Sequence, residues 1–299
     1  MKKKILITGR NGQVGSKVVQ RAGDFGFHAF ALNHTQLDIT DADATMSAIG
    51  QIKPDIIINC AAYTDVDKAE SDQNAAYQLN AAGPANLAKA SSDDCVLLHI
   101  STDYVFDGNL NRPYREDDLT NPQTVYGMSK LQGEQQIISL HPRYIILRTA
   151  WVYSETHRNF LKTMLRVGRE QGKVQVVKDQ KGSPTHAADI AEVLIKMADL
   201  ARREEISQEI SGIYHYTGAG QTSWYEYACA IFDQLQQETG ENIPVTSIST
   251  DEYPTPAKRP AWSVLDMGKL SDDLGIKPVP WEHRVRETTR NIIRKEHTS

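Results

Sequence analysis

The stretch Lys4-Ile5-Leu6-Ile7-Thr8-Gly9-Arg10-Asn11-Gly12-Gln13-Val14-Gly15 constrains the fold more than any other part of the chain. An apolar run long enough for one strand meets three glycines spaced three apart, and a helical stretch follows over Ser16–Ala22. Strand, glycine turn and helix, in that order, form the context of a dinucleotide fingerprint. The spacing is G-x-x-G-x-x-G rather than G-x-G-x-x-G. Gly9 is placed for the tight turn, Gly12 for close approach of the backbone to a pyrophosphate, and Gly15 for packing of helix on strand. The helix N-terminus offers free N–H groups to phosphate. Gly9, Arg10, Asn11, Gly12, Gln13, Val14 and Gly15 are therefore the first candidate cofactor-binding residues.

Further along, short β-type runs alternate with helical stretches. His28–Leu32, Asp55–Cys60, Val96–Ile100 and Tyr144–Arg148 read as strands; 41–52, 74–91 and 124–140 read as helices. Asp55–Cys60 is continuously apolar after its first residue, the pattern of a strand buried on both faces. The alternation predicts an α/β fold with a doubly wound, parallel, Rossmann-like sheet. Ligands in such sheets bind beyond the C-terminal strand ends, at the topological switch point. Ala61, Ala62, Tyr63 and Thr64, then Thr102, then Trp151, follow strands at that edge and join the candidate list.

After Trp151 the pattern changes. A helix over 159–172 and a strand over Val174–Val177 precede a stretch punctuated by Gly182, Pro184, Gly212, Gly218 and Gly220, then by Pro244, Pro254, Pro256 and Pro260. This predicts a dinucleotide-binding domain over residues 1–151. A smaller C-terminal lobe over 152–299 would be mainly substrate-binding, with some segments returning to the first domain. The polar tail 287–299 is expected to fray.

The second chemical signal is Ser101-Thr102-Asp103-Tyr104 followed by Tyr126-Gly127-Met128-Ser129-Lys130. A Tyr and a Lys four apart lie on one face of a helix. Free tyrosine titrates near pH ~10, and a neighbouring ammonium stabilises the phenolate and pulls that value down. Tyr126 and Lys130 thus form a candidate general acid/base pair, with the Thr102 hydroxyl sharing the same substrate oxygen. The pair alone is also what a solvated helix surface looks like; its combination with the glycine turn gives it weight.

Together the two motifs resemble the extended short-chain dehydrogenase/reductase superfamily. Asn59-Cys60-Ala61-Ala62-Tyr63-Thr64-Asp65-Val66-Asp67, Thr102-Asp103-Tyr104-Val105-Phe106, Arg148-Thr149-Ala150-Trp151, Asp179-Gln180-Lys181-Gly182-Ser183-Pro184-Thr185 and Tyr253-Pro254-Thr255-Pro256-Ala257-Lys258-Arg259-Pro260 resemble one of its families, the dTDP-4-dehydrorhamnose reductases. The resemblance implies reduction of the C4 ketone of a dTDP-6-deoxy-4-keto-hexose, with Thr102, Tyr126 and Lys130 catalytic. Lys130 would also hold the nicotinamide ribose. Asp38 and Ile39 would flank the adenine, Trp151 would pack on the sugar, Asp103 would hydrogen-bond the substrate and Arg259 would contact its pyrophosphate. Asn80 takes a supporting role. The triad alone also fits a reductase or epimerase of another nucleotide sugar. A non-catalytic regulatory homologue could tolerate loss of Tyr or Lys, and both are present.

The cofactor expected is NADPH, with NADH open. An acidic residue at the end of the second strand would bind the adenosine 2′-OH and favour NAD; this chain has Asn33-His34 there, and Arg10 is placed to meet a 2′-phosphate. Two departures from the family stand out. Some members carry a glutamate after the glycine motif that helps to bind Mg²⁺ between subunits. Ser16-Lys17 stands here, a cation beside a cation is unfavourable, and no metal is expected. Trp262-Ser263-Val264-Leu265 replaces the family's Asn-Ser-Arg-Leu, which puts nucleotide contacts there in question.

Composition excludes rather than selects. The 299 residues are 40% hydrophobic and 24% charged with a formal net charge of −5, so neither nucleic acid nor a disordered chain is favoured. Cys60, Cys95 and Cys229 are scattered and odd in number, which points to reduced thiols, not to a disulfide frame or zinc site. The apolar run after Lys2-Lys3-Lys4 breaks at Gly9, so no signal peptide is read, and no stretch nears the ~20 apolar residues of a membrane span. A cytoplasmic monomer or homodimer is expected.

Overall fold

The computed structural model describes residues 2–202 and 211–296. Strands are β1 (Lys4–Thr8), β2 (His28–Leu32), β3 (Ile56–Asn59), β4 (Val96–Thr102), β5 (Tyr144–Thr149), β6 (Val152–Tyr153), β7 (Val174–Val177), β8 (Lys181–Gly182), β9 (Thr185–His186), β10 (Gly212–His215), β11 (Thr222–Ser223) and β12 (Val245–Ile248). Helices are α1 (Gln13–Asp24), α2 (Ala42–Ile52), α3 (Val66–Ala69), α4 (Gln73–Tyr77), α5 (Gly83–Ala90), α6 (Val125–Leu140), α7 (Phe160–Gln171), α8 (Ala187–Arg202), α9 (Trp224–Thr239), α10 (Gly268–Leu274) and α11 (Trp281–Glu296).

The central sheet has six strands in the order β10-β5-β4-β3-β1-β2, all paired parallel. Strand order reverses between β1 and β3, and that reversal is the switch point where doubly wound sheets bind ligands. Period-two alternation feeds two cores. Ile5, Ile7, Ile56, Ile58, Val96, Leu98, Ile145 and Leu147 face one side, with α8 and Val18 and Ala22 of α1. Leu6, Ile57, Leu97 and Ile146 face the other, with Ile49 of α2, Leu87 of α5 and Ile137 of α6. Both faces being covered explains why these strands read as continuous apolar runs.

A third core stands apart from the sheet. Tyr153, Leu161, Leu165, Val174, Val176, Tyr227, Ile231, Leu235, Val285 and Ile293 bind α7, α9, α11 and the parallel pair β7–β12 together. Local signals set these helices: Asn159 caps α7 by accepting from Lys162 N, and Ser223 and Glu226 close a reciprocal capping box on α9. Between these elements the chain returns to the sheet, where α8 packs beside α1 and β10 pairs with β5.

Three expectations change. The first helix begins at Gln13, three residues before Ser16, because Gly12 caps it through extended backbone without a side-chain bond. The 74–91 stretch is interrupted by a π turn at Gln78–Ala82. The polar tail is helical through Glu296, because Thr288, Thr289, Ile292 and Ile293 are buried on one face; residues 297–299 lie outside the described residues.

Helix α6 is fastened to the sheet by a buried ion pair. Arg148 of β5 donates from Nε and Nη2 to the two Glu134 carboxylate oxygens at 2.9 and 2.7 Å, with side chains 2% and 1% exposed. Removing one partner of such a pair strands a buried charge, so Arg148→Met should lower the unfolding free energy by about 3–5 kcal/mol in a urea titration. The double variant Glu134→Leu/Arg148→Met should lose much less. A single-variant loss below about 1 kcal/mol, the worth of an exposed pair, would show that this contact does not hold α6.

Candidate active site

Backbone geometry builds the glycine loop. Gly9 has φ +65°, and a Cβ there would lie 2.7 Å from Cys60 C and Ala61 N. A Cβ on Gly15 would run into the Gly9 carbonyl. Only glycine permits this approach of loop, helix and the β3 end. Helix α1 carries no acidic residue in its first turn and no side-chain cap, so its leading N–H groups stay available to an anion.

Arg10 lies along the end of β2, its guanidinium donating to Ala31 O at 3.1 Å. His34 is exposed beside it, whereas the Asn33 carboxamide accepts from Thr35 N, Thr35 Oγ1 and Gln36 N and so serves its own turn. Asp38 is likewise turned inward on its loop, accepting from the Thr40 amide and hydroxyl; Ile39 is buried. The loop is tied to the segment after β6. Gln13 Oε1 accepts from Ser154 Oγ and Asn159 Nδ2 at 2.8 and 3.1 Å, and His157 Nε2 lies 2.6 Å from Asn11 O.

The loop after β3 holds Ala61–Thr64 in place through Asn80, which sits in the π turn. Its Oδ1 accepts from Tyr63 N at 2.8 Å, and its Nδ2 donates to Tyr63 O and Ser129 Oγ, each at 3.0 Å. The π turn is what aims Asn80 inward, and such turns gather at functional sites.

A cleft of about 490 Å³ opens at this edge, lined by Gly12, Gln13, Val14, Ala62, Thr64, Thr102, Asp103, Tyr126, Lys130 and Trp151. These sequence-predicted residues converge there from five elements. Cys60, Val66, Ser101, Tyr104, Thr149, His157 and Arg158 also line it and were not read from the sequence. The signal for Ser101 and Thr149 was present: each closes a strand at the same edge.

Thr124 caps α6 by accepting from Gly127 N, which fixes Tyr126 in the first turn, where it meets Tyr104 edge-on at 5.5 Å. Thr102 hydrogen-bonds the Tyr126 phenol and donates to Asp103 Oδ1 at 3.0 Å. Burial pushes Tyr126 above its usual value, only partly offset by the Thr102 bond. The cationic lowering expected from the Tyr-x-x-x-Lys spacing is absent from the forces acting on it. Lys130 Nζ is turned into the sheet instead, donating to Ile100 O at 2.6 Å and lying 3.1 Å from His99 Nε2. Burial lowers Lys130 to about 8. Asp103 is raised by burial to about 6, with hydrogen bonds from Thr102 and Ser263 opposing the rise.

Three buried side-chain oxygens here have no hydrogen-bond partner: Ser101 Oγ, Asp103 Oδ2 and Thr149 Oγ1. Buried polar groups are nearly always paired, so these mark where a polar ligand belongs. With the bare helix N-terminus and the glycine cradle, the residues present fit a dinucleotide beside a polar substrate.

Trp151 has φ +49°, a strained backbone for an aromatic residue. Its indole stacks on Trp224 with centroids 3.5 Å apart and covers Gly182, where a Cβ would fall within 2.7 Å of the indole nitrogen. Arg259 lies outside the cleft lining, in an adjoining pocket with Tyr253–Ala261. It donates to Asp67 Oδ2 at 2.6 Å and Tyr104 OH at 3.1 Å. Trp262 donates to Arg112 O at 2.8 Å and Leu265 packs with Phe106 and Tyr114, so the departing segment serves structure. Lys17 pairs with Glu155 at 3.1 Å, and Glu155 also faces His186 at 3.3 Å. Among the described residues no group of three or more His, Cys, Asp or Glu is gathered to hold a metal.

The sequence matches the family model of the RmlD substrate binding domain over residues 2–293. It is 44% identical over 287 residues to a dTDP-4-dehydrorhamnose reductase of Aggregatibacter actinomycetemcomitans, covering 95% of this chain and 97% of that protein. The crystal structure of a dTDP-4-dehydrorhamnose reductase from Clostridium acetobutylicum superposes with a TM-score of 0.90 at 39% identity, covering 97% of this chain and 99% of that one. That of the Bacillus anthracis dTDP-4-dehydrorhamnose reductase, in complex with NADP, superposes with a TM-score of 0.88 at 36% identity, covering 96% and 99%. Spanning both cores and the cleft between them, the chain belongs to the RmlD substrate binding domain family, among the dTDP-4-dehydrorhamnose reductases.

Proposed function

We propose that this chain is an NADPH-dependent reductase that converts the C4 ketone of dTDP-4-dehydro-L-rhamnose to the alcohol of dTDP-L-rhamnose, a sugar donor for cell-surface polysaccharide. The observation that carries the reading is the meeting, in one cleft, of a hydrogen-bonded Thr102–Tyr126 pair, a glycine loop and three unpaired buried oxygens. The relatives named above and the NADP complex of one of them support the substrate and the cofactor.

NADPH, when bound, supplies hydride to the ketone carbon. The glycine loop and the α1 N-terminus hold its pyrophosphate, Arg10 its 2′-phosphate, and the Asp38–Ile39 and Ala61–Thr64 loops its adenosine end. Tyr126 donates the proton that the ketone oxygen needs as negative charge grows on it. Burial keeps the phenol protonated at working pH, the form a reduction requires. Thr102 orients the oxygen, Asp103 binds the sugar, and Trp151 packs on it. Lys130 holds the nicotinamide ribose. Arg259 contacts the substrate pyrophosphate by exchanging one of its present bonds.

We divide the chain at Trp151: residues 1–151 bind the dinucleotide and 152–299 mainly the sugar nucleotide, with α8 and β10 returning to the sheet. No described helix is long and apolar enough to cross a membrane and all three cysteines are free thiols, in keeping with a cytoplasmic enzyme. We take it to act as a monomer or homodimer, which sedimentation of the purified protein checks.

Steady-state assay of ketone-dependent NADPH oxidation tests the chemistry. Tyr126→Phe keeps the ring and removes the proton, so kcat should fall about 10²–10⁴-fold, the usual worth of general acid catalysis, with NADPH affinity little changed. Near-normal turnover by the folded variant would remove Tyr126 from the reaction.

Arg10→Ala tests cofactor choice. NADPH binding should weaken by about 1.5–3 kcal/mol, the worth of a hydrogen bond to a charged group, while NADH binding is nearly untouched. Equal losses for both cofactors would show that Arg10 does not read the 2′-phosphate.

A further inference from the structure

Behind the cleft a buried hydrogen-bond chain crosses the sheet and ends on Lys130. Thr8 Oγ1 donates to Asn59 Oδ1 at 2.6 Å, and Ala61 N donates to the same oxygen at 3.1 Å. Asn59 Nδ2 lies 2.9 Å from His99 Nδ1, and His99 Nε2 lies 3.1 Å from Lys130 Nζ. Thr8, Asn59, His99 and Lys130 are each 1% exposed or less. No sequence motif singled out Asn59 or His99 as functional.

The direction of these bonds follows from donor and acceptor counts. A backbone N–H can only donate, so Ala61 fixes which end of the Asn59 carboxamide is oxygen. The amide nitrogen, a donor only, must then face His99 Nδ1. Nδ1 therefore accepts and carries no proton. A neutral imidazole with a bare Nδ1 has its proton on Nε2, pointing at Lys130. An ammonium has no lone pair to receive it, whereas a neutral amine has one. The remaining amine hydrogens suit the bond to Ile100 O.

We infer that Asn59 and His99 are positioning residues that set the protonation of Lys130, by holding the imidazole as the Nε2–H tautomer that donates to a neutral amine. The inference deepens the proposed mechanism and rests on it only for the role of Lys130. The other groups facing Lys130 do not reverse it. Cys60, beyond β3, has a thiol pushed up by burial to about 12 and stays neutral. Glu134, on the same helix, favours the ammonium, but both of its oxygens are engaged by Arg148. Tyr126, also on α6, is held as the neutral phenol. His99 itself is kept uncharged by burial and by Lys130. A lysine that titrates near neutrality exchanges protons readily, as a group beside a proton-donating tyrosine must.

Two NMR measurements on the full-length protein test this without an activity readout. In ¹⁵N-histidine-labelled protein, His99 should show a bare Nδ1 and a protonated Nε2 across the neutral range. In ¹³Cε-lysine-labelled protein, the resonance that Lys130→Met removes should titrate near 8, well below the other lysines. Asn59→Asp places a carboxylate against Nδ1, draws the proton there and frees Nε2 to accept from an ammonium. Its Lys130 midpoint should rise by about one pH unit or more, a tenfold change in proton affinity. A protonated Nδ1 in the wild type, a Lys130 midpoint among the ordinary lysines, or an unmoved midpoint in folded Asn59→Asp would each overturn the inference. The wild-type measurements decide the matter even where the variant does not fold.

Discussion

The contact of Gly9 with the Cys60–Ala61 peptide is the constraint on which the cleft depends. It brings the end of β1 against the end of β3 at the point where strand order reverses, and it works only without a Cβ. A crevice at that point is a property of parallel, doubly wound sheets. What this chain adds is economy: the Ala61 peptide that Gly9 touches also donates to Asn59, so the phosphate-binding turn and the chain leading to Lys130 share one backbone unit. A side chain at position 9 would disturb both.

The second constraint is the attachment of the C-terminal lobe. The glycine loop is bound to it through Gln13, Ser154, Asn159 and His157. Trp151 leaves the sheet in a left-handed conformation and is held by the Trp224 stack and the bare surface of Gly182. The strain at Trp151 is thus supported from the lobe that is proposed to bind the sugar. That places the indole where the two halves of the chain meet, within the cleft lining that includes Tyr126.

Much of this was legible in the sequence where the physics is local. The five N-terminal strands of the sheet are buried on both faces and announce themselves as apolar runs. The glycine loop announces itself by spacing, and Thr102, Tyr126 and Lys130 by position after β4 and along α6. What was not legible depends on tertiary context. The tail 287–296 looks solvated because its mean composition is polar, yet Thr288, Thr289, Ile292 and Ile293 supply a buried face once α9 lies beside it. The π turn has no residue signature of its own and places Asn80 through packing. The spacing of Tyr126 and Lys130 suggested a phenolate–ammonium couple, but burial turns Nζ into the sheet toward Ile100 and His99. Asn59 and His99 read as ordinary strand residues until four strands are laid side by side.

The central claim is that this cleft moves hydride from a nicotinamide to the sugar C4 while Tyr126 supplies the proton. Turnover of dTDP-4-dehydro-L-rhamnose with NADPH deuterated at the nicotinamide C4, followed by NMR of the product, tests it most directly. The expected result is dTDP-L-rhamnose carrying one deuterium at C4 of the sugar, or its complement when the opposite face is labelled. Product with no deuterium at C4 from either labelled form, or no ketone-dependent loss of NADPH at all, would contradict it.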